Sequence, residues 1–219
     1  MARGRAAGYD LQREMILARA AQLFARSGYP ATSMNQVADA CGCSKAGLYH
    51  YYRDKYALLA GIAEGHVLHL KALCDEVLAL GLPAEPRLRE LVRRFVQEYA
   101  GAQHAHRVLT DDVRFLEPDD RARVLGIERA VVAAFADTVA DLRPALARAA
   151  LDKPVTMLLF GMINWMFTWM RPDGAIDYGA MAPVVADLFV GGLGRIDTQA
   201  VAAHPRTAPD TPTPTLETP

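Results

Sequence analysis

The chain has 219 residues, a formal net charge of −1 and three cysteines, a length that suits one large or two small domains with a full hydrophobic core. The odd number of cysteines, without a C-x-x-C spacing, argues against a disulfide framework and against a cysteine zinc site, so a reduced cytoplasm is expected. Ala, Leu, Arg and Glu are abundant, and no alternating strand pattern bounded by hairpin turns occurs. We therefore predict an all-α fold.

The small net charge conceals an uneven distribution. Through Tyr56 the chain carries eight lysines or arginines and four acids, a net of +4, which leaves −5 for the remainder. Local cations favour duplex DNA through counterion release, and an acidic remainder keeps the rest of the molecule off the same polymer. A solvated cationic face without a partner is the alternative.

Residues 1–9 are predicted to form a flexible basic arm, since they lack the long apolar core of a secretory signal. Arg3 and Arg5 in this arm suit a phosphate backbone or a minor groove, and an arm without function is the alternative. A first helix then runs to about Arg26 and stops at Gly28.

Residues 33–55 predict two short helices joined by a tight turn. Ser33 and Gln36 have the spacing of a capping box, so a helix should begin at Met34. Gly42 lies where the chain must leave that helix through a left-handed conformation. Ser44 can cap the next helix, and the pair forms a helix-turn-helix.

The outward face of the second helix suggests nucleic acid. Leu48 and Tyr52, four residues apart, should face inward. Small residues there would let the backbone approach base edges in a major groove, while cations and an aromatic ring contact phosphate or a thymine methyl. A packed helical corner without DNA is the alternative. The candidate DNA-binding residues are Ser33, Asn35, Ser44, Lys45, Ala46, Gly47, Tyr49, His50, Tyr51 and Lys55.

Residues 44–55, SKAGLYHYYRDK, followed by Leu58-Leu59, resemble the recognition helix and linker of the TetR-type (TetR/AcrR) family of bacterial transcriptional repressors. The match runs from about Gln12 to Leu59, and Tyr56-Ala57 replaces an acidic residue often found after the linker lysine. The resemblance implies a helix-turn-helix domain at residues 10–56 and a larger helical domain for ligand binding and dimerisation at 57–196.

The resemblance also implies partners. These are a palindromic double-stranded DNA operator, a second copy of the chain and a small-molecule effector that releases the operator. In the family the last two long helices of each subunit pair as a four-helix bundle. No catalytic residue, cofactor or metal is expected, and the protein should not be an enzyme.

The second domain is predicted to consist of a series of amphipathic helices. A long helix should begin after a cap at Asp54 and end at Gly81-Leu82-Pro83. A last helix, capped by Asp177, should end at Gly191-Gly192, and the Pro/Thr-rich segment 197–219 should be disordered. The helices between them are predicted at about residues 86–102, 105–115 and 119–142.

Residues 154–170 carry no charge and approach the length of a membrane helix. We reject a transmembrane helix because Thr156 and Asn164 interrupt the segment and neither flank has a basic bias. A helix that is apolar all round is buried, inside a domain or between subunits.

Residues 161–165, GMINW, with Trp169 and the following RPDG, look like a pattern in family members that answer to acyl-CoA thioesters. Aromatic and methionine side chains would line a slot for an aryl or fatty-acyl group, Asn164 would bond a thioester carbonyl, and arginines would hold the coenzyme. The candidate ligand residues are Phe160, Asn164, Trp165, Phe167, Trp169, Arg107, Arg114, Arg121 and Arg123.

Three alternatives stay open at this point. Trp165 and Trp169 suit a core or a dimer interface as well as a pocket. The effector is alternatively a hydrophobic drug-like molecule or a free acid. An all-helical enzyme is the alternative from a different class, although no phosphate loop or nucleophile with a nearby base occurs. The histidines at positions 66, 69, 104 and 106 are interpreted as structural rather than metal-binding.

Overall fold

The computed structural model of the protein describes residues 2–170 and 174–202, with side chains for 8–166, 168–170 and 174–200. These residues contain no strand, and the all-α prediction is confirmed. In chain order the helices are α1 (Ala2–Ser27), α2 (Met34–Ala40), α3 (Lys45–Tyr51), α4 (Lys55–Ala79), α5 (Ala84–Gly101), α6 (Gln103–Asp112), α7 (Pro118–Leu142), α8 (Pro144–Arg148), α9 (Asp152–Trp169), α10 (Tyr178–Leu193) and α11 (Thr198–Ala202). A 3₁₀ turn at Val113–Phe115 follows α6.

Helices α1 to α3 pack around one buried apolar cluster. Phe24 of α1, Val37 of α2 and Leu48 of α3 are all buried in it. The cluster continues through Leu58 of α4 and Val108 of α6. Helices α2 and α3, which form the helix-turn-helix, therefore share their core with α4 and α6 of the larger domain. A movement of α4 or α6 consequently changes the packing of α2 and α3.

Helix α4 connects the two parts of the molecule. Asp54 caps it, because its Oδ1 accepts a hydrogen bond of 2.7 Å from the backbone N–H of Ala57. The helix ends before Gly81, which has a φ of +62°. Among the described residues α4 is the one helix long and apolar enough to cross a membrane, and 44% of its most apolar window is buried inside the protein.

Helices α5, α7, α9 and α10 build a second core with the end of α4. Phe135 of α7 lies between Phe95 of α5 and Phe160 of α9, with ring centroids 4.9 Å apart in both pairs. Helix α10 packs along α5. Asp177 caps α10 through a 2.7 Å hydrogen bond from the backbone N–H of Ala180, as its sequence position predicts.

Several predicted boundaries are wrong. Residues 2–9 continue α1 instead of forming a flexible arm, because alanine and arginine are good helix formers and no cap or proline precedes Asp10. Helix α8 was not predicted, α10 continues past Gly191-Gly192 to Leu193, and residues 198–202 of the tail form α11. The rest of the predicted disordered tail, from residue 203, lies outside the described residues.

Helices α9 and α10 leave apolar side chains uncovered. Leu158, Met162, Trp165 and Trp169 follow helical spacing along α9, and we call this set the α9 stripe. Its side chains are 68%, 36%, 66% and 54% exposed, and Leu188 of α10 is 65% exposed. Residues 154–170 are thus buried on one side only.

Candidate nucleic-acid interface and internal cavity

The local hydrogen bonds of the helix-turn-helix are those that the sequence predicts. The backbone N–H of Ser33 donates to Gln36 Oε1 at 2.8 Å, and the N–H of Gln36 donates to Ser33 Oγ at 3.3 Å. Gly42 has a φ of +63°, and the N–H of Gly47 donates to Ser44 Oγ at 3.0 Å. These contacts set the angle at which α3 leaves the domain.

Helix α3 presents a short exposed face. Lys45, Ala46, Tyr49 and His50 are exposed, whereas Leu48 is fully buried. Among the other predicted DNA-binding residues, Ser33, Asn35 and Ser44 are exposed and Gly47 is partly buried. The face can enter a major groove without unfolding any of its neighbours.

Tyr51, another candidate DNA-binding residue, packs against α1. Its ring lies 4.9 Å from the ring of Tyr9 on α1, and His50 lies 6.1 Å from the same ring. Tyr51 is consequently half-buried at the end of α3. These ring contacts hold the N-terminal part of α1 beside the recognition helix.

Lys55 does not have the free ammonium group that a phosphate contact was predicted to use. Its Nζ donates to the backbone oxygens of Tyr29 at 2.8 Å and Pro30 at 3.1 Å, and lies 4.4 Å from the centroid of the Tyr29 ring. Two of its three donors therefore tie the start of α4 to the α1–α2 loop. Lys45 makes no ion pair or hydrogen bond within the described residues, so it is the freer cation.

An internal cavity of about 100 Å³ lies between α4, α5, α6, α7 and α9. Apolar side chains supply most of its wall. Its polar groups come from Tyr99, His106, Thr110, Glu128 and Asn164. Burial raises the pKa of the Glu128 carboxyl, and neither lysine nor arginine belongs to the described lining. The cavity suits an uncharged group with hydrogen-bonding atoms.

Two histidines form a buried pair at one side of this cavity. His66 Nε2 of α4 lies 3.3 Å from His106 Nδ1 of α6. The ring of Tyr99 stacks on His106 with centroids 3.9 Å apart, and Asn164 lines the same cavity as His106. Burial lowers the pKa of His66 to about 3 and that of His106 to about 4, so both rings are neutral at pH 7.

The predicted ligand residues separate in the structure. Phe160 and Asn164 line the cavity. Trp165 and Trp169 do not line it, because their positions on α9 place them on the exposed stripe. Trp169 instead borders a separate open pocket with Ile176 and Met181, so the prediction that both tryptophans share a pocket with Phe160 and Asn164 does not hold for this cavity. The side chain of Phe167 lies outside the described residues.

The predicted arginines do not surround the cavity either. Arg123 is held by Glu64 at 2.9 Å and Asp120 at 2.9 Å, because acids on α4 and α7 flank it. Arg107 pairs with Asp111 at 3.4 Å, one turn along α6, and its carbonyl accepts from Thr110 at the cavity wall. Arg114 stacks on Phe115 and Arg121 is exposed.

Sequence reasoning missed three contributors. Tyr99 and Glu128 lie in helices whose apolar periodicity gave no signal for a polar wall. Tyr56, noted only as a local departure, donates to Asp120 Oδ2 at 2.6 Å and accepts from the N–H of Glu117 at 3.0 Å. It thus joins the start of α4 to the start of α7, and no local pattern could have shown a contact between residues so far apart in the chain.

No group of three or more His, Cys, Asp or Glu side chains in the described part of the chain is arranged to hold a metal ion. His66 and His106 contact each other, and His69 lies 3.0 Å from Glu98. These three histidines have protein partners that account for their positions.

Comparisons with known proteins agree with this architecture. Residues 16–62 match the family model described as bacterial regulatory proteins, tetR family, and residues 81–193 match the tetracyclin repressor-like C-terminal domain. A TetR-family regulator from Bordetella parapertussis 12822 is 36% identical, with a TM-score of 0.78 over 84% of this chain and 97% of that one.

Two further proteins are similar over most of their length. The transcriptional repressor KstR2 of Rhodococcus jostii is 25% identical over 85% of this chain and 93% of the relative. AibR, whose crystal structure was solved in complex with isovaleryl coenzyme A and operator DNA, has 25% sequence identity to this chain. The two structures match with a TM-score of 0.69 over 83% of this chain and 97% of that one. Proteins of this kind are transcription regulators and not enzymes. The two domain matches and the shared helical architecture establish that the chain belongs to the TetR family of bacterial transcription regulators.

Proposed function

We propose that the protein is a homodimeric repressor in the bacterial cytoplasm that binds a palindromic operator and is released from it by a short-chain acyl-CoA thioester. The observation that carries the effector class is the internal cavity, which is small, mostly apolar and lined by uncharged hydrogen-bonding groups except for Glu128. The face of α3 supports the operator, and the α9 stripe supports the dimer.

The operator follows from the geometry of two recognition helices related by a two-fold axis. Such a pair reads half-sites about one helical turn, ~34 Å, apart or a multiple of it. The exposed Lys45 supplies a cation for phosphate or a guanine edge, and Ala46 allows the backbone to come close. The candidate residues at the start of α2, its cap Ser33 and Asn35, contact the flanking DNA backbone in this arrangement.

The dimer is supported by exposed apolar surface at positions where a monomer gains nothing from it. The α9 stripe presents two tryptophans that are more than half exposed. Tryptophan is enriched among residues that dominate interface energies. A second copy of α9 and α10 would cover this surface, in a contact that repeats itself about the two-fold axis.

The cavity favours a thioester over the free acid. A carboxylate in it would meet the Glu128 carboxyl, while no lysine or arginine belongs to the described lining. Burial of an unpaired charge is costly, whereas a neutral thioester carbonyl needs only one hydrogen-bond donor, which the Asn164 amide has. The volume of about 100 Å³ holds roughly three to five non-hydrogen atoms. A short acyl group, rather than a long chain, suits this volume.

The coenzyme would lie outside the cavity, toward α6. Arg107 borders this side, since Thr110 of the cavity wall donates to its carbonyl. Its pairing with Asp111 is an exposed contact of the kind that contributes little, so a phosphate can replace it. Arg114 and Arg121 stay as further candidates, whereas Arg123 would have to leave both of its acidic partners.

The proposal is tested by titrating the protein bound to a labelled near-palindromic duplex and following fluorescence anisotropy. The ligands are isovaleryl-CoA, phenylacetyl-CoA, a medium-chain acyl-CoA, the corresponding free acids and free coenzyme A. Release by the short thioester, but not by its acid or by coenzyme A, supports the proposal. Equal release by the free acids, or release by none of the ligands, removes the acyl-CoA assignment.

A cavity-filling variant gives the matched control. Val131→Phe places a ring in the lining of the cavity and should abolish release while leaving operator affinity unchanged. Leu80→Phe adds a ring to an exposed position at the end of α4 and should change neither. If the thioester releases the Val131→Phe protein from the operator as readily as it releases the unaltered protein, the effector binds elsewhere. A drug-like apolar ligand that competes with the thioester would favour the second candidate effector class.

A further inference from the structure

The His66–His106 pair separates two cavities. His106 lines the internal cavity between α4 and α9. His66 lines a second, open cleft of about 220 Å³, where Leu17, Ala18 and Ala21 of α1 face α4. The two rings are buried and meet at 3.3 Å. One hydrogen bond therefore connects the wall of the internal cavity to the surface of α4 that faces α1 of the helix-turn-helix domain.

A neutral histidine pair has two hydrogen-bonding arrangements. In the first, His66 Nε2–H donates to His106 Nδ1, and His106 carries its proton on Nε2. In the second, His106 Nδ1–H donates to His66 Nε2, and His66 carries its proton on Nδ1. Each ring keeps one proton in both arrangements. The two arrangements differ only in which nitrogen of each ring bears it.

Whether a hydrogen-bond donor or an acceptor faces His106 in the cavity determines which of these two arrangements is favoured. Asn164 and His106 line the same cavity, and hydrogen bonding by the Asn164 side chain raises the pKa of His106 against the larger effect of burial. An amide oxygen accepts and so favours a proton on the histidine nitrogen that faces it, whereas an amide N–H favours a bare nitrogen. A ligand carbonyl that takes the amide N–H of Asn164 holds its oxygen toward the ring. A ligand that takes the oxygen does the reverse.

We propose that His66 and His106 are the positioning residues that transmit occupancy of the internal cavity to α1 and α4. The inference rests on the proposed effector cavity, but not on the identity of the effector. A change at Asn164 re-assigns the ring protons of His106 and then of His66, so the His66 nitrogen that does not face His106 is an acceptor in the first arrangement and a donor in the second. The stacked ring of Tyr99 keeps His106 in plane during the change.

The first test compares coupling between ligand and operator in variants. Replacing both partners by apolar groups avoids leaving one buried ring unpaired, so the double variant H66L/H106L should fold. We expect its operator Kd to stay within about threefold of the unaltered protein, and because His106 lines the cavity, the Kd of isovaleryl-CoA for the free variant is measured first so that coupling is compared at saturating ligand. The factor by which isovaleryl-CoA weakens operator binding, typically about 5–150 in allosteric proteins, should fall to within about twofold of one. His104→Leu, an exposed position two residues away on α6, should keep the full factor.

The second test needs no effector. Because coupling is reciprocal, operator binding must also bias the pair. Imidazole 15N chemical shifts of His66 and His106 should report one protonation pattern in the free protein and the other in the operator complex. Identical patterns in both states would overturn the proposal, and so would full coupling in H66L/H106L. If isovaleryl-CoA neither binds nor releases the operator, the effector assignment fails while the 15N measurement still decides the role of the pair.

Discussion

Helices α3 and α9 both leave one face uncovered, and the two faces have opposite chemistry. The exposed side chains of α3 are small or cationic or, at Tyr49 and His50, aromatic rings that carry a polar atom, so they are well solvated in the absence of DNA. Those of the α9 stripe are apolar and large, with Trp165 66% exposed. Removing such surface from water is favourable at about 25 cal/mol per Å². A solvated face therefore suits a partner that comes and goes, and an apolar face suits one that stays.

The α9 stripe should show the largest effect of any single substitution. Trp165→Asp places a charge in the centre of the proposed dimer interface and should cost about 2–4 kcal/mol of association free energy, or more. Sedimentation equilibrium should then find monomers at micromolar concentration, and tight operator binding should be lost because only one half-site is held.

Leu80 gives the control for this substitution. It is an apolar residue at the end of α4 that is 54% exposed, as Trp169 of the stripe is. Leu80→Asp should remain dimeric and bind the operator normally. A Trp165→Asp protein that stays dimeric would show that the stripe is covered by something other than a second copy.

Acid should destabilise the second domain through the buried histidines. The folded pKa values of about 3 for His66 and about 4 for His106 lie below the ordinary value of 6.5. The unfolded chain thus binds more protons, so the stability is full above pH 6.5 and is lost as pH falls toward the folded values. Between pH 7 and pH 5 we expect a loss of about 1–2 kcal/mol per histidine.

Urea denaturation at the two pH values measures this loss. Glu128 acts in the opposite direction, because its folded pKa is raised and its protonation at low pH relieves a buried charge. H66L/H106L should show a clearly smaller loss than the unaltered protein. An equal loss in both proteins would mean that other groups govern the acid limb.

Substitutions of two lysines in the helix-turn-helix domain should affect different properties, one the stability of the protein and the other its affinity for DNA. Lys55→Ala removes a charged donor from two backbone oxygens and should lower the free energy of unfolding by about 1–2 kcal/mol. Lys45→Ala should leave stability unchanged, flatten the salt dependence of operator binding by about one unit and alter base preference by ~1–3 kcal/mol.

Thermal melting and operator binding at several salt concentrations measure both. The sequence by itself predicts a phosphate contact for Lys55, which would also flatten the salt slope. Unchanged melting of Lys55→Ala together with a flatter slope would favour that earlier interpretation over the structural one.

The smallest expected effects come from a pair of glycines. Gly42→Ala forces a side chain into the left-handed region at φ +63° and should cost about 1–2 kcal/mol. Gly65 lies within α4, and a methyl group there meets nothing within 4 Å, so Gly65→Ala should stabilise by about 0.5–1 kcal/mol. Opposite signs in chemical denaturation would establish that Gly42 is required by its turn. A Gly42→Ala protein as stable as the parent would contradict the turn geometry.

Local rules explain the parts of the molecule that were predicted correctly. The capping box at Ser33, the turn at Gly42 and the caps at Asp54 and Asp177 depend on residues within four positions of one another. Helical periodicity also identified most helices of the second domain. These features follow from backbone hydrogen bonding and φ preferences, which a short stretch of sequence contains in full.

The sequence by itself determined the helical architecture, the helix-turn-helix and the chemical character of the exposed faces of α3 and α9. Only the tertiary structure decided the partners of side chains that belong to distant segments. It turned Lys55 toward Tyr29 and Arg123 toward Glu64, placed Trp165 on the surface, and brought His66 to His106 across 40 positions of sequence. A residue's type and spacing limit what it can bond, but which donor or acceptor it meets depends on how whole helices pack, because packing is set by the summed contacts of many residues.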